Sequence, residues 1–424
     1  MNLSFDNTEK AFAYKTDKEL NKAKFLFTTM SYPFFVPIGT RLTPFIMKTG
    51  LPINGIIRNT IFKQFVGGET LQETAATVDL LDKYKVQVIL DYGVEGKEGE
   101  ANFDKATEEF VRVIEYAATQ KNIPFISIKI TGLARFNLLE TLNEAPRLRS
   151  GIHDNELEND EWERVKDRTF HICEVASQNN VGVLSDAEES WIQDPIDRLT
   201  MEMMEHFNKE KVVVFNTIQC YRHDRLDFLK LSHKIAKQSH FLLGIKLVRG
   251  AYMEKERARA TQKNYPNPIQ KTKENTDADF NAAVAYCIEN VNDISVIIAS
   301  HNEQSNLLAC ELLSQKNITT NHAHIHFSQL YGMSDNITFN LADNGCSVSK
   351  YLPFGPIKDV IPYLMRRAQE NSSVSGQTGR ELGLIKREIK RRKELKIIPK
   401  FPPSTIHKNS KTKNSFLRFF SLFL

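Results

Sequence analysis

Charged side chains stand near the end of an apolar segment, where burying an unpaired charge is costly. The run GIKLVRGAY carries Lys246 and Arg249 among apolar residues and then reaches Gly250. In a strand, alternation places Lys246 and Leu247 on opposite faces, so Lys246 is free to face a carboxylate such as Asp186. Such a pair is typical of an active site, but equally of a buried ion-pair network that only stabilises the fold.

Polar residues end seven further apolar segments of the chain: Asp91, Lys129, Asp186 with Glu188, Gln219, Ser300 with His301, Gln329, and Lys350 with Tyr351. Helical stretches separate these short, β-branched runs, which predicts parallel βαβ units with right-handed crossovers. Eight units favour a closed (β/α)8 TIM-like barrel, whose strands all end at one face. The polar residues are therefore predicted to meet at a single site.

The alternative fold is an open, doubly wound sheet, which usually has a glycine-rich phosphate turn after its first strand. Here the first run is followed by GVEGKEGE, which does not match GxGxxG. Residues 1–84 show helical periodicity and are predicted to form an N-terminal arm. The barrel is predicted over 85–395, with the long polar connection 134–180 as an insertion on its rim, and 396–424 as a basic and apolar tail.

A second group of cations follows the eighth run, in YLPFGPIKDVIPYLMRRAQENSS. Pro356 suits a helix start. Along that helix Tyr363 and Arg367 are four residues apart, as are Arg366 and Glu370, so each pair shares a face. Planar guanidinium groups suit a carboxylate because they donate bidentate hydrogen bonds. An Arg-Arg pair is usually a surface feature, but its place after the eighth strand predicts a carboxylate clamp over the barrel mouth.

The composition limits the remaining possibilities. The 424 residues are 41% hydrophobic and 25% charged, which is typical of a globular protein. No apolar run approaches the ~20 residues that span a bilayer. The N-terminus resembles neither a secretory signal nor a transit peptide, so a cytoplasmic protein is expected. Five cysteines show no CxxC pairing or zinc spacing, which predicts reduced thiols and no metal site.

Between Gln87 and Val374 the chain resembles the proline dehydrogenase family, the flavin enzymes of proline catabolism. The resemblance rests on seven segments in the family's order: ILDYGVEG, ISIKITGL, SDAEES, FNTIQCY, GIKLVRGAYMEKERARA, ASHNEQ and YLPFGPIKDVIPYLMRRAQENSS. It implies a distorted (β/α)8 barrel whose last helix lies over the mouth, and FAD bound without a Rossmann turn. The helical arm and the chain length are similar to those of the stand-alone form.

The resemblance also implies roles for individual residues. The implied FAD contacts are Ala187, Gln219, Arg249, Gly250, Ala251, Ser300 and His301. The proline carboxylate is expected at Arg366 and Arg367, with Lys129 completing the pocket. The implied catalytic pair is Asp186 with Lys246, and the implied pocket-lining residues are Leu247, Tyr351, Tyr363 and Glu370.

The implied reaction is the FAD-dependent oxidation of L-proline to 1-pyrroline-5-carboxylate, the first step toward glutamate, with electrons passing to a membrane quinone. A bulky Tyr351 leaves little room for a 4-hydroxyl group, so proline is expected over hydroxyproline. A hydroxyproline dehydrogenase of the same family is the alternative. Two rivals from other classes are a flavin-free barrel enzyme with Lys129 or Lys246 as nucleophile, and a non-catalytic proline sensor.

The end of the chain suggests a partner. Residues 384–424 include twelve Lys/Arg and two Glu, and the terminus TIHKNSKTKNSFLRFFSLFL is basic and rich in Phe and Leu. Such a segment is typical of a peripheral membrane contact, here expected at the cytoplasmic face of a bacterial inner membrane. A disordered tail is the alternative. Nucleic-acid binding is not predicted, because the tail lacks an aromatic-interleaved platform.

Overall fold

Eight parallel strands close into a barrel in which each strand pairs with its neighbours in chain order and β8 pairs with β1. The structure is a computed structural model that describes residues 3–30, 54–93, 98–144, 156–373 and 377–397. The strands are β1 Gln87–Tyr92, β2 Phe125–Ile128, β3 Gly182–Ser185, β4 Val214–Gln219, β5 Leu243–Val248, β6 Ile294–Ala299, β7 Ile325–Leu330 and β8 Val348–Phe354. The predicted closed barrel is confirmed, and each predicted run overlaps one strand.

Helices surround this barrel and precede it in the chain. They are α1 Thr8–Ala11, α2 Asp17–Met30, α3 Asn54–Ile57, α4 Lys63–Phe65, α5 Leu71–Asp82, α6 Glu100–Ala118, α7 Phe136–Glu144, α8 Glu156–Asn179, α9 Ser190–Phe207, α10 Arg225–Gln238, α11 Met253–Lys263, α12 Lys273–Glu289, α13 Glu303–Gln315, α14 Asp335–Asp343, α15 Ile357–Ser373 and α16 Gln377–Ile397. A π-helical turn, Arg58–Phe62, and a 3₁₀ turn, Ile130–Gly132, complete the described elements.

Alternation along the strands separates an outer layer from an inner one. On β5, Ile245 and Leu247 belong to the large apolar core between the strands and the helices. A smaller cluster that includes Leu184, Phe215 and Ile297 fills the barrel interior. The polar residues at the strand ends therefore sit above a closed apolar layer, which keeps bulk water from entering the mouth through the barrel.

The connection between β2 and β3 is more regular than a rim insertion. α8 contacts α6 and β3, and its residues Ile172 and Ala176 are buried in the main core. Its Arg168 donates to Asp104 on α6 at 2.8 Å. The second part of residues 134–180 is thus one of the helices of the barrel's outer ring. Residues 145–155 lie outside the described part of the chain.

The N-terminal arm packs against the last two helices rather than standing apart. α2 contacts α16, and Phe27 of α2 shares a second apolar core with Val360 of α15 and Leu384 of α16. The Thr8 hydroxyl donates to the Glu388 carboxylate at 2.9 Å. The predicted arm, 1–84, is helical where it is described, and residues 31–53 of it are not described.

A buried charge cluster, called the arm cluster below, joins the arm to β8. The ammonium of Lys350 lies 3.0 Å from a carboxylate oxygen of Asp335 and donates to the Met333 carbonyl at 2.5 Å. Asp335 also accepts from the Tyr14 hydroxyl at 2.7 Å and lies 3.6 Å from the Lys15 ammonium. Burial and the Asp335 charge raise the pKa of Glu381 to about 7, against the lowering effect of the Ser334 backbone, Lys350 and Lys15. Tyr14 and Lys15 of the arm thus contact the same aspartate that pairs with Lys350 of β8.

The predicted tail, 396–424, falls almost wholly outside the described residues, because α16 ends at Ile397. Its proposed membrane contact is therefore not seen. Among the helices that are described, none combines the length and the apolar character needed to cross a bilayer.

Candidate functional site

Four charged side chains meet at the carboxyl ends of β1, β2, β3 and β5: Asp91, Lys129, Asp186 and Lys246, called the mouth cluster below. Asp186 forms a short ion pair with Lys246 and lies 3.0 Å from the Lys129 ammonium. Lys129 also lies 3.7 Å from a carboxylate oxygen of Asp91. Asp186 and Lys246, which sequence separates by 60 positions, are thus brought together as predicted.

Two hydroxyl groups fix Asp186 from the inner face of the barrel. Ser127 donates to one carboxylate oxygen at 2.8 Å, and Tyr351 donates to the other at 2.8 Å. Burial opposes ionisation of Asp186, but Lys246 and Lys129 outweigh it and hold its pKa below the ordinary value. Burial and the Asp186 charge raise the pKa of Tyr351 well above its ordinary value. Tyr351 is therefore a neutral hydrogen-bond donor held above the inner layer.

Leu247 is not part of this arrangement. It is fully buried in the outer core between strands and helices, on the face of β5 opposite to Lys246. The pocket-lining role implied for its side chain is therefore wrong. The reason is the two-residue period of a strand, which sends only one of two consecutive side chains into the barrel.

Arg249, just after β5, anchors a row of donors on the neighbouring strand ends. Its guanidinium donates to Asp277 at 2.7 Å, to the Ser300 hydroxyl at 2.6 Å and to the Ser305 hydroxyl at 2.9 Å. The group also lies 4.4 Å from the centre of the Phe280 ring. Three hydrogen bonds and a ring contact hold the cation in one orientation.

His301 continues this row after β6. Its Nδ1 is 2.8 Å from the Ser334 hydroxyl. Burial and the charges of Lys350, Arg367 and Arg249 lower the pKa of His301 to about 3. The imidazole is therefore neutral at physiological pH, so it offers one donor and one acceptor rather than a cation.

The loop after β5 brings backbone close to the same row. Gly250 has φ +131°, and a Cβ there would lie 2.5 Å from ring atoms of Tyr221, so no side chain fits. Gly250 and the following Ala251 are exposed, while Ala187 after β3 is half-buried. Gln219 is buried at the end of β4 and donates to the Glu188 carbonyl at 2.8 Å.

The arginines of α15 act on two different residues that follow the strands, Tyr252 after β5 and His301 after β6. The charge of Arg366 acts on Tyr252: burial and Glu188 raise the pKa of Tyr252, while Lys129 and Arg366 oppose the rise. Arg367 is buried, and its charge acts on His301.

Tyr363 shows how this pair is held. The Arg367 guanidinium lies 5.1 Å from the Tyr363 ring centre, and Tyr363 belongs to the second apolar core. Tyr363 thus supports the Arg367 guanidinium from the side of the second apolar core. Glu370 lies on α15, but its side chain is outside the described part of the chain.

Several residues that contact the predicted site residues were not identified from the sequence. Ser127 lies two residues before Lys129 on the same face of β2, so the strand period could have identified it. Asp277, Ser305 and Ser334 lie on or beside helices that no local signal connects to Arg249 or His301. In the described residues, His, Cys, Asp and Glu form no group suited to a metal ion.

Known proteins are similar in sequence to the part of the chain that forms the barrel. The family model described as proline dehydrogenase matches residues 74–380. Proline dehydrogenase 1, mitochondrial, of Dictyostelium discoideum is 32% identical over 91% of this chain and 74% of its own length. Hydroxyproline dehydrogenase of Xenopus laevis is 31% identical over 90% of this chain and 88% of its own length.

A solved structure supports the fold. Proline utilization A of Bdellovibrio bacteriovorus, inactivated by N-propargylglycine, matches 84% of this chain with a TM-score of 0.67 and 22% identity. The chain spans 38% of the length of that protein. At this level of identity the match establishes a shared barrel and nothing about ligands.

Proposed function

The chain belongs to the proline dehydrogenase family, and on that premise we propose that it oxidises L-proline to 1-pyrroline-5-carboxylate with bound FAD. The observation that carries the proposal concerns Lys129, whose ammonium lies 3.0 Å from an Asp186 that Tyr351 also fixes. The charges of Lys129 and Arg366 act together on Tyr252, and Arg367 follows Arg366 on α15. A small zwitterion with one carboxylate matches this charge pattern.

The substrate carboxylate would be held by the two arginines of α15. A guanidinium fork donates two parallel hydrogen bonds to a carboxylate, and a second arginine restricts rotation about that axis. Lys129 adds positive charge while Asp186 and Asp91 keep its ammonium in place. Fixing the carboxylate orients the ring carbon next to nitrogen, and such positioning accounts for much of enzymatic rate enhancement.

The donor row suits a flavin. Arg249 offers a cation, Ser300 a hydroxyl, His301 a neutral imidazole and Gln219 an amide, which together match the carbonyls and phosphates of FAD. We propose that these four side chains, with Gly250, Ala251 and Ala187, hold the cofactor. When bound, FAD supplies the two-electron acceptor that converts the C–N bond of proline to C=N.

The protein's own part in the reaction is electrostatic. Arg249, held by Asp277, keeps a fixed positive charge near the place where negative charge would develop. The substrate amine must be neutral before it can lose hydride, so activity should rise with pH between pH 6 and pH 9. A flat profile over that range would contradict this mechanism.

Tyr351 favours proline over hydroxyproline. Its hydroxyl is fixed by Asp186 and lies 3.1 Å from the Ser127 hydroxyl, so the ring has no freedom to swing aside for an added hydroxyl. Hydroxyproline oxidation is the second candidate, because a relative bears that name. A higher kcat/KM for hydroxyproline than for proline would reverse the assignment.

A lysine-nucleophile enzyme is less well supported. Both candidate lysines, Lys129 and Lys246, are ion-paired with Asp186, and a protonated amine has no lone pair with which to attack a carbonyl. The same pairing is expected of residues that hold charge rather than form covalent bonds.

We further propose that electrons pass to a membrane quinone and that the enzyme is peripheral on the cytoplasmic face of the inner membrane. The support is the basic, Phe- and Leu-rich segment 405–424. Deleting Thr405–Leu424 tests the contact, and unchanged association with anionic vesicles would end it.

The deciding experiment is an absorbance spectrum of the purified protein before and after anaerobic addition of L-proline. A flavin band that bleaches supports cofactor, substrate and reduction together. A band that persists moves the substrate to hydroxyproline or another cyclic amine. A protein that stays colourless after FAD is supplied would overturn the flavin proposal.

A further inference from the structure

Glu188 is a buried carboxylate in the loop after β3, and its side chain reaches across to the end of β2. One carboxylate oxygen accepts from the Thr131 backbone N–H at 3.1 Å, and the other accepts from the Thr131 hydroxyl at 2.6 Å. Its side chain thus takes both polar hydrogens of one residue. Glu188 is only 5% exposed, so these bonds are shielded from water.

Thr131 is the centre of the 3₁₀ turn Ile130–Gly132, and Lys129 is the residue that begins that turn. The turn's other hydrogen bonds are local: the Gly132 N–H donates to the Lys129 carbonyl at 3.0 Å. The bonds to Glu188 therefore connect the backbone around Lys129 to the neighbouring strand end. They also fix the point from which the flexible lysine side chain extends.

The main chain of Glu188 makes different connections. Its N–H donates to the Gln193 side chain at 2.7 Å, and its carbonyl accepts from the Gln219 side chain at 2.8 Å. The side chain thus faces the end of β2, whereas the backbone faces α9 and the end of β4. A change of side chain alters the first set of bonds and leaves the donors and acceptors of the second set in place.

We propose that Glu188 is a positioning residue for substrate binding, which sets the location of the Lys129 ammonium by holding the turn Ile130–Gly132 against β3. The inference rests on the proposed function, because it takes Lys129 as part of the proline pocket. The Lys129 ammonium lies between Asp186 at 3.0 Å and Asp91 at 3.7 Å, so a shift of the turn changes its distance to both carboxylates.

Two properties separate this role from general support of the fold. First, loss of the side chain should raise KM for L-proline more than it lowers kcat, because a misplaced Lys129 weakens substrate binding. Second, FAD content should stay unchanged, because Gln219 keeps its main-chain acceptor. A purely structural role would instead lower FAD content, kcat and stability together, with no selective rise in KM.

The test compares Glu188→Ala and Glu188→Gln in the full chain, with steady-state kinetics and amide exchange measured on the same preparations. Glu188→Ala should raise KM about tenfold, whereas kcat should change less than about threefold. Glu188→Gln should have a smaller effect, because its amide oxygen still accepts one hydrogen from Thr131. Amide exchange at Thr131 should accelerate in Glu188→Ala, and this readout does not depend on the flavin.

Matched variants complete the design. Glu189→Gln changes the adjacent buried carboxylate, whose ion pair is with Lys255 at 2.8 Å and not with the turn, so KM should stay at the wild-type value. Thr131→Ser keeps both donors and should retain wild-type KM, whereas Thr131→Val should raise it.

The outcomes are distinguishable. If the wild type does not oxidise proline, the proposed function fails before any variant is compared. If the wild type is active and Glu188→Ala has wild-type KM, or if Glu189→Gln raises KM equally, the positioning role is overturned. The role is also overturned if KM rises while exchange at Thr131 stays slow, because the turn would then not have moved.

Discussion

Two buried strand lysines pair with aspartates in this molecule, and they differ in the face of the strand that carries them. Lys246 of β5 points into the barrel and meets Asp186 in the mouth cluster. Lys350 of β8 is completely buried on the outer side, where it meets Asp335 in the arm cluster. The chemistry of the two pairs is the same. The strand face alone decides whether the pair lies at the barrel mouth or against the N-terminal arm.

The surroundings of the pairs reinforce this difference. Around Asp186 lie hydroxyl groups on strands β2 and β8, which are rigid and close to the opening. Around Asp335 lie Tyr14 and Lys15 of the arm. A buried ion pair is therefore not evidence of catalysis by itself, and its neighbours must be identified first.

The largest effect is expected in the mouth cluster. Asp186→Ala leaves two lysines without their shared carboxylate and frees Tyr351, so kcat/KM for L-proline should fall by on the order of 10³-fold. Steady-state kinetics measure this. The matched change Asp335→Ala should lower the denaturation midpoint while the folded enzyme keeps its kcat. If the two variants lose activity equally, the proposed division between the clusters is wrong.

The arm cluster should dominate stability. Lys350→Met leaves Asp335 with a weaker set of partners in a buried site and should cost about 3 kcal/mol of unfolding free energy. Urea unfolding measures this. Lys10→Met removes an exposed ion pair to Asp343 and serves as the control, with a midpoint close to that of the wild type. A Lys350→Met protein as stable as the control would refute the assignment.

The two buried glutamates of α16, Glu381 and Glu388, have pKa values shifted in opposite directions. The pKa of Glu381 is raised to about 7, so the folded state favours its protonated form. Its stabilising effect is complete below its ordinary pKa and is lost as pH rises to about 7. Relative to wild type, Glu381→Gln should therefore gain on the order of 2 kcal/mol of stability between about pH 5 and pH 8.

Glu388 provides the opposite sign. Burial opposes its ionisation, but Arg391, Arg392 and Thr8 hold its pKa below the ordinary value. Its contribution is present above that ordinary value and is lost as pH falls, so Glu388→Gln should be most destabilising near neutral pH. Thermal unfolding across pH measures both variants. Parallel curves for the two would contradict the assigned charge states.

The smallest effect concerns specificity. Tyr351→Ser removes the ring above the inner layer, so it should raise kcat/KM for hydroxyproline relative to proline by about tenfold. Tyr351→Phe keeps the ring and removes only the bonds to Asp186 and Ser127, so its preference should stay with proline. Competition between the two substrates measures the ratio. An unchanged ratio in Tyr351→Ser would show that another residue sets the preference.

Local periodicity in the sequence is enough to predict the barrel and the charged residues at its strand ends. Strand alternation predicted that Lys246 and Asp186 would meet, and the pattern of eight polar strand ends located the mouth. The same alternation also excluded Leu247, which resemblance alone had assigned to the pocket. Periodicity predicts reliably which way a strand side chain points, because a strand has only two faces.

Long-range pairing could not be predicted in this way. Asp277 and Ser305 orient Arg249 from positions 28 and 56 residues later in the chain. Tyr14 reaches Asp335 across 321 residues. Such partners depend on how the helices pack against the barrel, and the local spacing of residues in the sequence does not reveal that packing. α8 was missed as a ring helix for a related reason, because its polar outer face hides the buried stripe.

The contact between Thr8 and Glu388 also has a consequence for how the molecule assembles. It joins positions 380 residues apart, so α1 can make this contact only after the ribosome has synthesised α16. Contacts of such separation pay a large loop-closure entropy before they contribute, which slows folding. Until α16 is made, the arm lacks this part of its packing surface, although α14 and α15 already offer it contacts. Synthesis of α16 is thus needed before the packing of the arm is complete.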